Sequence, residues 1–154
     1  MLEPLSRQAY RTISRSEKGF MSPSLFDDAE IISMYTRAQA IEDGILTDMT
    51  QEPFGALARE AGLKWPIAMT MTAFMDFVAV SDAKGHADQD VKGRWWDVVF
   101  MFRRTKRTIS PLEARWSVFV RDPDGRVRQK ELKCVSGPAD DGEPCLTFML
   151  PNED

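Results

Sequence analysis

Histidine occurs once, at His86, and cysteine twice, at Cys134 and Cys145. A single histidine means that any Ser/His or Cys/His nucleophile pair has to use His86. Two cysteines late in the chain exclude a secreted disulfide framework, and they read as reduced thiols on neighbouring strands. No apolar run approaches the roughly 20 residues of a membrane helix, so no membrane association is expected. The segment MLEPLSRQAYRTISRSEKGFMS lacks the apolar stretch of a signal peptide and contains Glu3 and Glu17. It reads as a flexible leader over residues 1–25 of a cytoplasmic protein, ahead of a single globular domain over 26–154. P-loop, GxSxG, HExxH and CxxC patterns are all missing. No catalytic residue, resident metal or cofactor is therefore assigned.

What is present is the composition of a soluble globular domain, 43% apolar and 29% charged over 154 residues. Net charge is −4, but it is unevenly placed. Residues 91–136 hold 12 basic and 5 acidic side chains, between acidic flanks on both sides. A basic block inside an acidic chain creates a local field that can steer an anionic partner.

Helix signals gather in the first half. Thr36 and Gln39 have the spacing of a capping box, and Gly44 suits a C-terminal cap, which makes RAQAIEDG a short helix. A second helix is predicted from Pro53 through FGALAREA, and a third from about Thr70 to Val80. LAREAGL has the apolar spacing of a helix-turn-helix. The following KWPIAMTMTAFM, however, offers only Lys64 and threonine hydroxyls as donors, so core packing is the reading there.

Past the polar loop SDAKGHADQDVKG the pattern changes. In RWWDVVFMFRR, alternation puts Trp96, Val98, Phe100 and Phe102 on one side and Trp95, Asp97, Val99 and Met101 on the other, which predicts a central strand. ARWSVFVR, RVRQKELKCVS and CLTFML follow as strands, the first two joined by the turn Asp122-Pro123-Asp124-Gly125. The expected fold is α+β, with N-terminal short helices packed on a C-terminal antiparallel meander of about four strands. Trp96, Phe100, Trp116, Val118 and Phe148 are its predicted core.

The stretches YTRAQAIEDGILTDM, AREAGLKWPIAMT, GRWWDV and GPADDGEPCLTFMLPNED resemble a family of small bacterial proteins of unknown function carried on plasmids, phages and integrative elements. The resemblance runs over roughly residues 32–154. It implies a bacterial, cytoplasmic accessory protein of a mobile element, in a setting of host counter-defence, DNA processing or replication control. It carries over no activity residue by residue.

The predicted hairpin supplies the candidate site. Pairing across its turn sets Arg121 beside Arg126, Phe119 beside Arg128 and Ser117 beside Lys130. Arg115 lies on the same face, and Arg103, Arg104, Lys106 and Arg107 lie nearby. Cations around an exposed aromatic on a sheet are the chemistry of single-strand binding, phosphates meeting Arg and Lys while bases stack. The expected function is a non-catalytic module binding nucleic acid or an acidic host protein through this basic sheet face. The alternative is a small enzyme using His86 with carboxylates of the 82–90 loop or of Asp140, Asp141 and Glu143, with a metal as a further option.

Overall fold

The computed structural model describes residues 35–154; the expected leader over 1–25 lies outside them. The chain divides into two compact units. The described part of one is residues 35–46 with 137–145, and the other is 47–136 with 146–154.

In the first unit, α1 (Arg37–Glu42) carries the capping box that its sequence predicts. Thr36 Oγ1 accepts from Gln39 N at 3.0 Å, and Gln39 Oε1 accepts from Thr36 N at 2.9 Å. Asp140 adds a second cap from a distant turn, its two carboxylate oxygens accepting from Arg37 N and Ala38 N at 2.9 Å each. Gly142, at φ +85°, closes that turn. Cys145 is buried here, and burial pushes its thiol up, as do Asp140 and Asp141, against the opposing effect of Arg37.

The second unit is α+β. Its helices are α2 (Phe54–Glu60), α3 (Met71–Phe77) and α4 (Val91–Thr105), with a 3-10 turn at Lys84–His86. Its strands are β1 (Leu46–Asp48), β2 (Ile67–Thr70), β3 (Arg107–Ser110), β4 (Glu113–Arg121), β5 (Val127–Pro138) and β6 (Pro144–Met149), several of which extend a residue or two past the unit boundary. They form one six-stranded sheet in the order β1-β2-β6-β5-β4-β3. β3, β4 and β5 are antiparallel, but β2 runs parallel to β6, with Ile67 beside Leu146 and Met69 beside Phe148. The sheet is therefore mixed rather than a simple meander. Ile67–Thr70 is a short, wholly buried strand, and its four residues are too few to show a period.

The larger correction is RWWDVVFMFRR, which is helix rather than strand. Asp90 caps α4, its carboxylate accepting from Gly93 N at 2.6 Å. Trp95, Val98, Val99 and Phe102 are buried at the i, i+3, i+4, i+7 spacing of a helical stripe. Because apolar residues occupy both sides of the alternating pattern as well, the same residues satisfy either period; the stripe that enters the core decides between them. Trp96 consequently only borders the core and Phe100 is exposed, whereas Trp116, Val118 and Phe148 are buried.

Trp116 and Phe148 pack with Phe102 in a ring cluster, with centroids 4.7 to 5.0 Å apart. The two buried indoles are also satisfied as donors, Trp95 Nε1 to Phe54 O at 3.0 Å and Trp116 Nε1 to Val98 O at 3.1 Å. α4 is thus tied to both α2 and β4.

Candidate functional site

The β4–β5 hairpin turns differently from the simple pairing its sequence suggests. Gly125 N donates to Asp122 O at 2.8 Å, Gly125 takes φ +86°, and Asp122 N then donates to Arg126 O at 2.9 Å. A left-handed glycine closing this turn adds one residue to the loop. Arg121 accordingly pairs with Val127, Phe119 with Gln129 and Val118 with Lys130. A shift of one residue moves every β5 side chain to the opposite face. Arg128 and Lys130 therefore stand on the face of the buried Val118 and Val120, not beside Phe119.

On that face they meet acids. Lys130 Nζ contacts Asp76 and Asp122 at 2.6 Å each, and Arg128 holds Asp122 at 2.6 Å and Asp124 at 2.9 Å. Burial opposes the charge on both Lys130 and Asp122. Their mutual hydrogen bond, with those that Lys130 donates to Asp76 and Arg128 donates to Asp122, outweighs it, holding the lysine up and the carboxyl down. The hydrogen bonds from Arg128 and from Arg126 N bring Asp124 to about 2.

This end of the hairpin also locks against the 81–90 loop. A Cβ on Gly85 would lie 2.3 Å from both Gly125 N and Pro123 O, so only glycine permits that approach. His86 is buried, its Nδ1 accepting from Ser81 N at 3.0 Å and its Nε2 lying 2.9 Å from Arg121 O. Nε2 is therefore the protonated nitrogen, and both ring nitrogens are occupied by backbone. Arg94, also buried, donates from Nη1 to the same Arg121 carbonyl at 2.8 Å. Burial lowers its pKa, opposed by Asp122, Asp76 and Asp97. The loop carboxylate Asp90 is the α4 cap, and Asp140 is the α1 cap.

The outer sheet face collects different cations. Arg107, Arg115 and Lys133 are successive cross-strand partners on β3, β4 and β5. At the strand spacing of about 4.8 Å, three positive side chains form a row about 10 Å long. Acids hold two of the three: Arg107 pairs with Glu131 at 2.8 Å, and Arg115 with Glu113 at 2.7 Å. Lys133 is buried, and its Nζ donates to the main-chain carbonyl of Glu153. Burial opposes ionisation of Glu153, but hydrogen bonds from Leu150 N, Thr72 and Thr70 hold its carboxyl below the usual range. Along β4 on the same face, Phe119 is 65% exposed beside Arg121, whose Nη1 donates to Gly125 O at 2.9 Å. Arg126 is exposed in the turn.

β3 begins at Arg107, immediately after α4, so Arg103, Arg104 and Lys106 lie at the sheet edge next to the row. All three are exposed, and no ion pair involves them among the described residues. Ring faces attract two of them, Arg104 lying 5.5 Å from the Phe100 centroid and Lys106 5.1 Å from that of Phe102. Of the ten sequence-predicted site residues, Arg107 and Arg115 are cross-strand partners, and Arg103, Arg104 and Lys106 precede Arg107 in the chain, with Arg103 beside Gly62. Phe119, Arg121 and Arg126 stand farther along the hairpin, and Arg128 and Lys130 belong to its other face. Lys133 escaped the sequence reading because the register expected there sets Leu132 beside Arg115; the extra loop residue sets Lys133 there instead.

The site thus belongs to an α+β protein whose mixed sheet presents a cationic edge. The family of unknown function DUF6573 matches over residues 22–108, more than half of the chain, and the protein belongs to that family. The match takes in α4 and the Arg103–Arg107 run but ends before β4, short of the GPADDGEPCLTFMLPNED stretch, and it begins within the expected leader. No curated protein and no solved structure matches the chain. No helix among the described residues is long and apolar enough to cross a membrane.

Proposed function

We propose that this protein is a non-catalytic module of a bacterial mobile element that binds nucleic acid in the cytoplasm. The binding surface is the α4–β3 edge together with Arg107 and Arg115 of the outer-face row, rather than the hairpin as a whole. One observation carries the reading. Among the described residues, Arg103, Arg104 and Lys106 are exposed without a carboxylate partner, while Arg128 and Lys130 on the hairpin are neutralised by three aspartates. Charges already paired have little left for a ligand; exposed, unpaired ones release counterions when a phosphate backbone arrives.

Arg107 and Arg115 extend this surface by exchanging Glu131 and Glu113 for phosphates. Arg guanidinium groups suit that exchange, since the same planar fork serves carboxylate and phosphate. The catalytic alternative draws on His86, whose two nitrogens are engaged by Ser81 N and Arg121 O. That arrangement fits a residue that fastens a loop to a strand. Counter-defence is the setting to which such a module of a mobile element is suited.

Mapping amide shifts by NMR during titration with an oligonucleotide tests the surface. Shifts should concentrate at 103–107 and 115. Shifts confined to the 122–130 hairpin end, or none at low salt, would overturn the proposal.

A further inference from the structure

The outward side of α4 carries a second pattern. Trp96, Phe100 and Arg104 follow one another at i, i+4 spacing, which stacks them along one helix face. The ring centroids of Trp96 and Phe100 are 5.6 Å apart with planes tilted by 31°. The Arg104 guanidinium stands 5.5 Å from the Phe100 centroid. The result is a column of indole, phenyl and guanidinium. Its lower member, Trp96, rests on the core, but Phe100 is 38% exposed and contributes nothing to the buried cluster.

The column ends in cations. Arg103, Arg104, Lys106 and Arg107 close α4 and open β3, so an aromatic face and a phosphate-seeking group succeed each other within one or two helical turns. That succession matches a polynucleotide whose bases are free, in which every flat base is followed by a phosphate. It does not match a duplex, where base faces are stacked on one another and out of reach. An acidic peptide would satisfy the cations but bring no ring to Phe100.

We propose that the Trp96–Phe100–Arg104 column is a base-stacking platform and that the nucleic acid bound is single-stranded. This rests on the proposed function, since the cations at the end of the column supply the affinity that the stack refines. A bound base inserts between Phe100 and the Arg104 guanidinium that now covers the ring, and the planar guanidinium then stacks on the far face of the base.

The test measures anisotropy of fluorescein-labelled oligodeoxythymidylate and of a duplex of equal length at low salt, for the full chain and for Phe100→Leu and Phe100→Tyr. Leucine keeps the apolar bulk over Trp96 and removes the ring face; tyrosine keeps the ring. Single-strand binding should exceed duplex binding, fall about tenfold in Phe100→Leu and recover in Phe100→Tyr, with the same salt dependence throughout. Equal single-strand affinity for all three proteins, or a duplex bound as tightly as the single strand, would overturn the platform and leave the nucleic-acid reading standing. A polyaspartate peptide that displaces the oligonucleotide as well as unlabelled oligonucleotide does would also overturn it, assigning the cations to an acidic protein partner. Failure of both nucleic acids to bind at low salt would remove the platform and the proposed function together.

Discussion

Arg107 and Arg115 are direct cross-strand partners on β3 and β4. Two guanidinium groups on one sheet face at such a spacing repel each other. Each is drawn toward a glutamate, Arg107 to Glu131 across the sheet and Arg115 to Glu113 along its own strand. The acids occupy the positions that phosphates would take, so they set the threshold for binding.

Replacing Glu131 by Gln frees Arg107. Nucleic-acid affinity should rise, most clearly at low ionic strength where screening is weakest. Stability should change by no more than about 1 kcal/mol, because the pair is exposed. Parallel binding isotherms and urea melts of Glu131→Gln check both halves of the expectation.

Asp140 has a different task, and its position alters what the acidic loop does. Its carboxylate caps α1 at Arg37 N and Ala38 N, so Asp140→Ala should cost about 1 kcal/mol. Amide exchange at Arg37 and Ala38 should quicken most. Asp141→Asn should have a smaller effect, since its carboxylate accepts only from Glu143 N within the turn. Equal exchange rates in Asp140→Ala and the parent protein would show that the cap is not formed in solution.

Acid should loosen the hairpin end. Asp124 is held at about 2 by Arg128 and Arg126 N, against about 3.9 in an unfolded chain. A carboxyl whose folded pKa is depressed contributes stability above its unfolded value and loses it as pH falls toward the folded one. The loss should therefore run from about pH 4 down to about 2. Replacing Arg128 by Gln should return Asp124 toward the ordinary range, visible in the side-chain carboxyl shift by NMR. An unmoved titration would mean that the Arg128 contact is not maintained in solution.

Trp116 gauges the core. It is buried against Phe102 and Phe148 and donates to Val98 O. Trp116→Ala should cost about 3 to 5 kcal/mol, read from denaturant midpoints. A cost under about 1 kcal/mol would contradict the packing of α4 on β4.

Much of this architecture was legible from local signals. The Thr36–Gln39 box, the entry at Pro53, the helix start near Thr70 and the Asp122–Gly125 turn each act within four residues, and each stands where its chemistry puts it. Features set by distant partners were not legible. The parallel seating of β2 on β6 depends on residues far apart in sequence. RWWDVVFMF fits two periods, and the decision falls to α4 docking on β4. The hairpin register turned on Gly125 taking a left-handed conformation, one residue that reassigned Arg128 and Lys130 from the open face to the buried one. The hairpin cations expected on one sheet face are divided by the register between two.

The account stands most directly on the salt dependence of single-strand binding in the parent protein and in a triple variant, Arg103→Ala, Arg104→Ala and Lys106→Ala. For the parent, log affinity should fall linearly with log salt, by about 0.7 per phosphate neutralised. The triple variant should keep its fold by circular dichroism and lose about 2 from that slope, as three exposed cations are removed. An unchanged slope and affinity in the triple variant would contradict the assignment of the α4–β3 edge as the nucleic-acid surface.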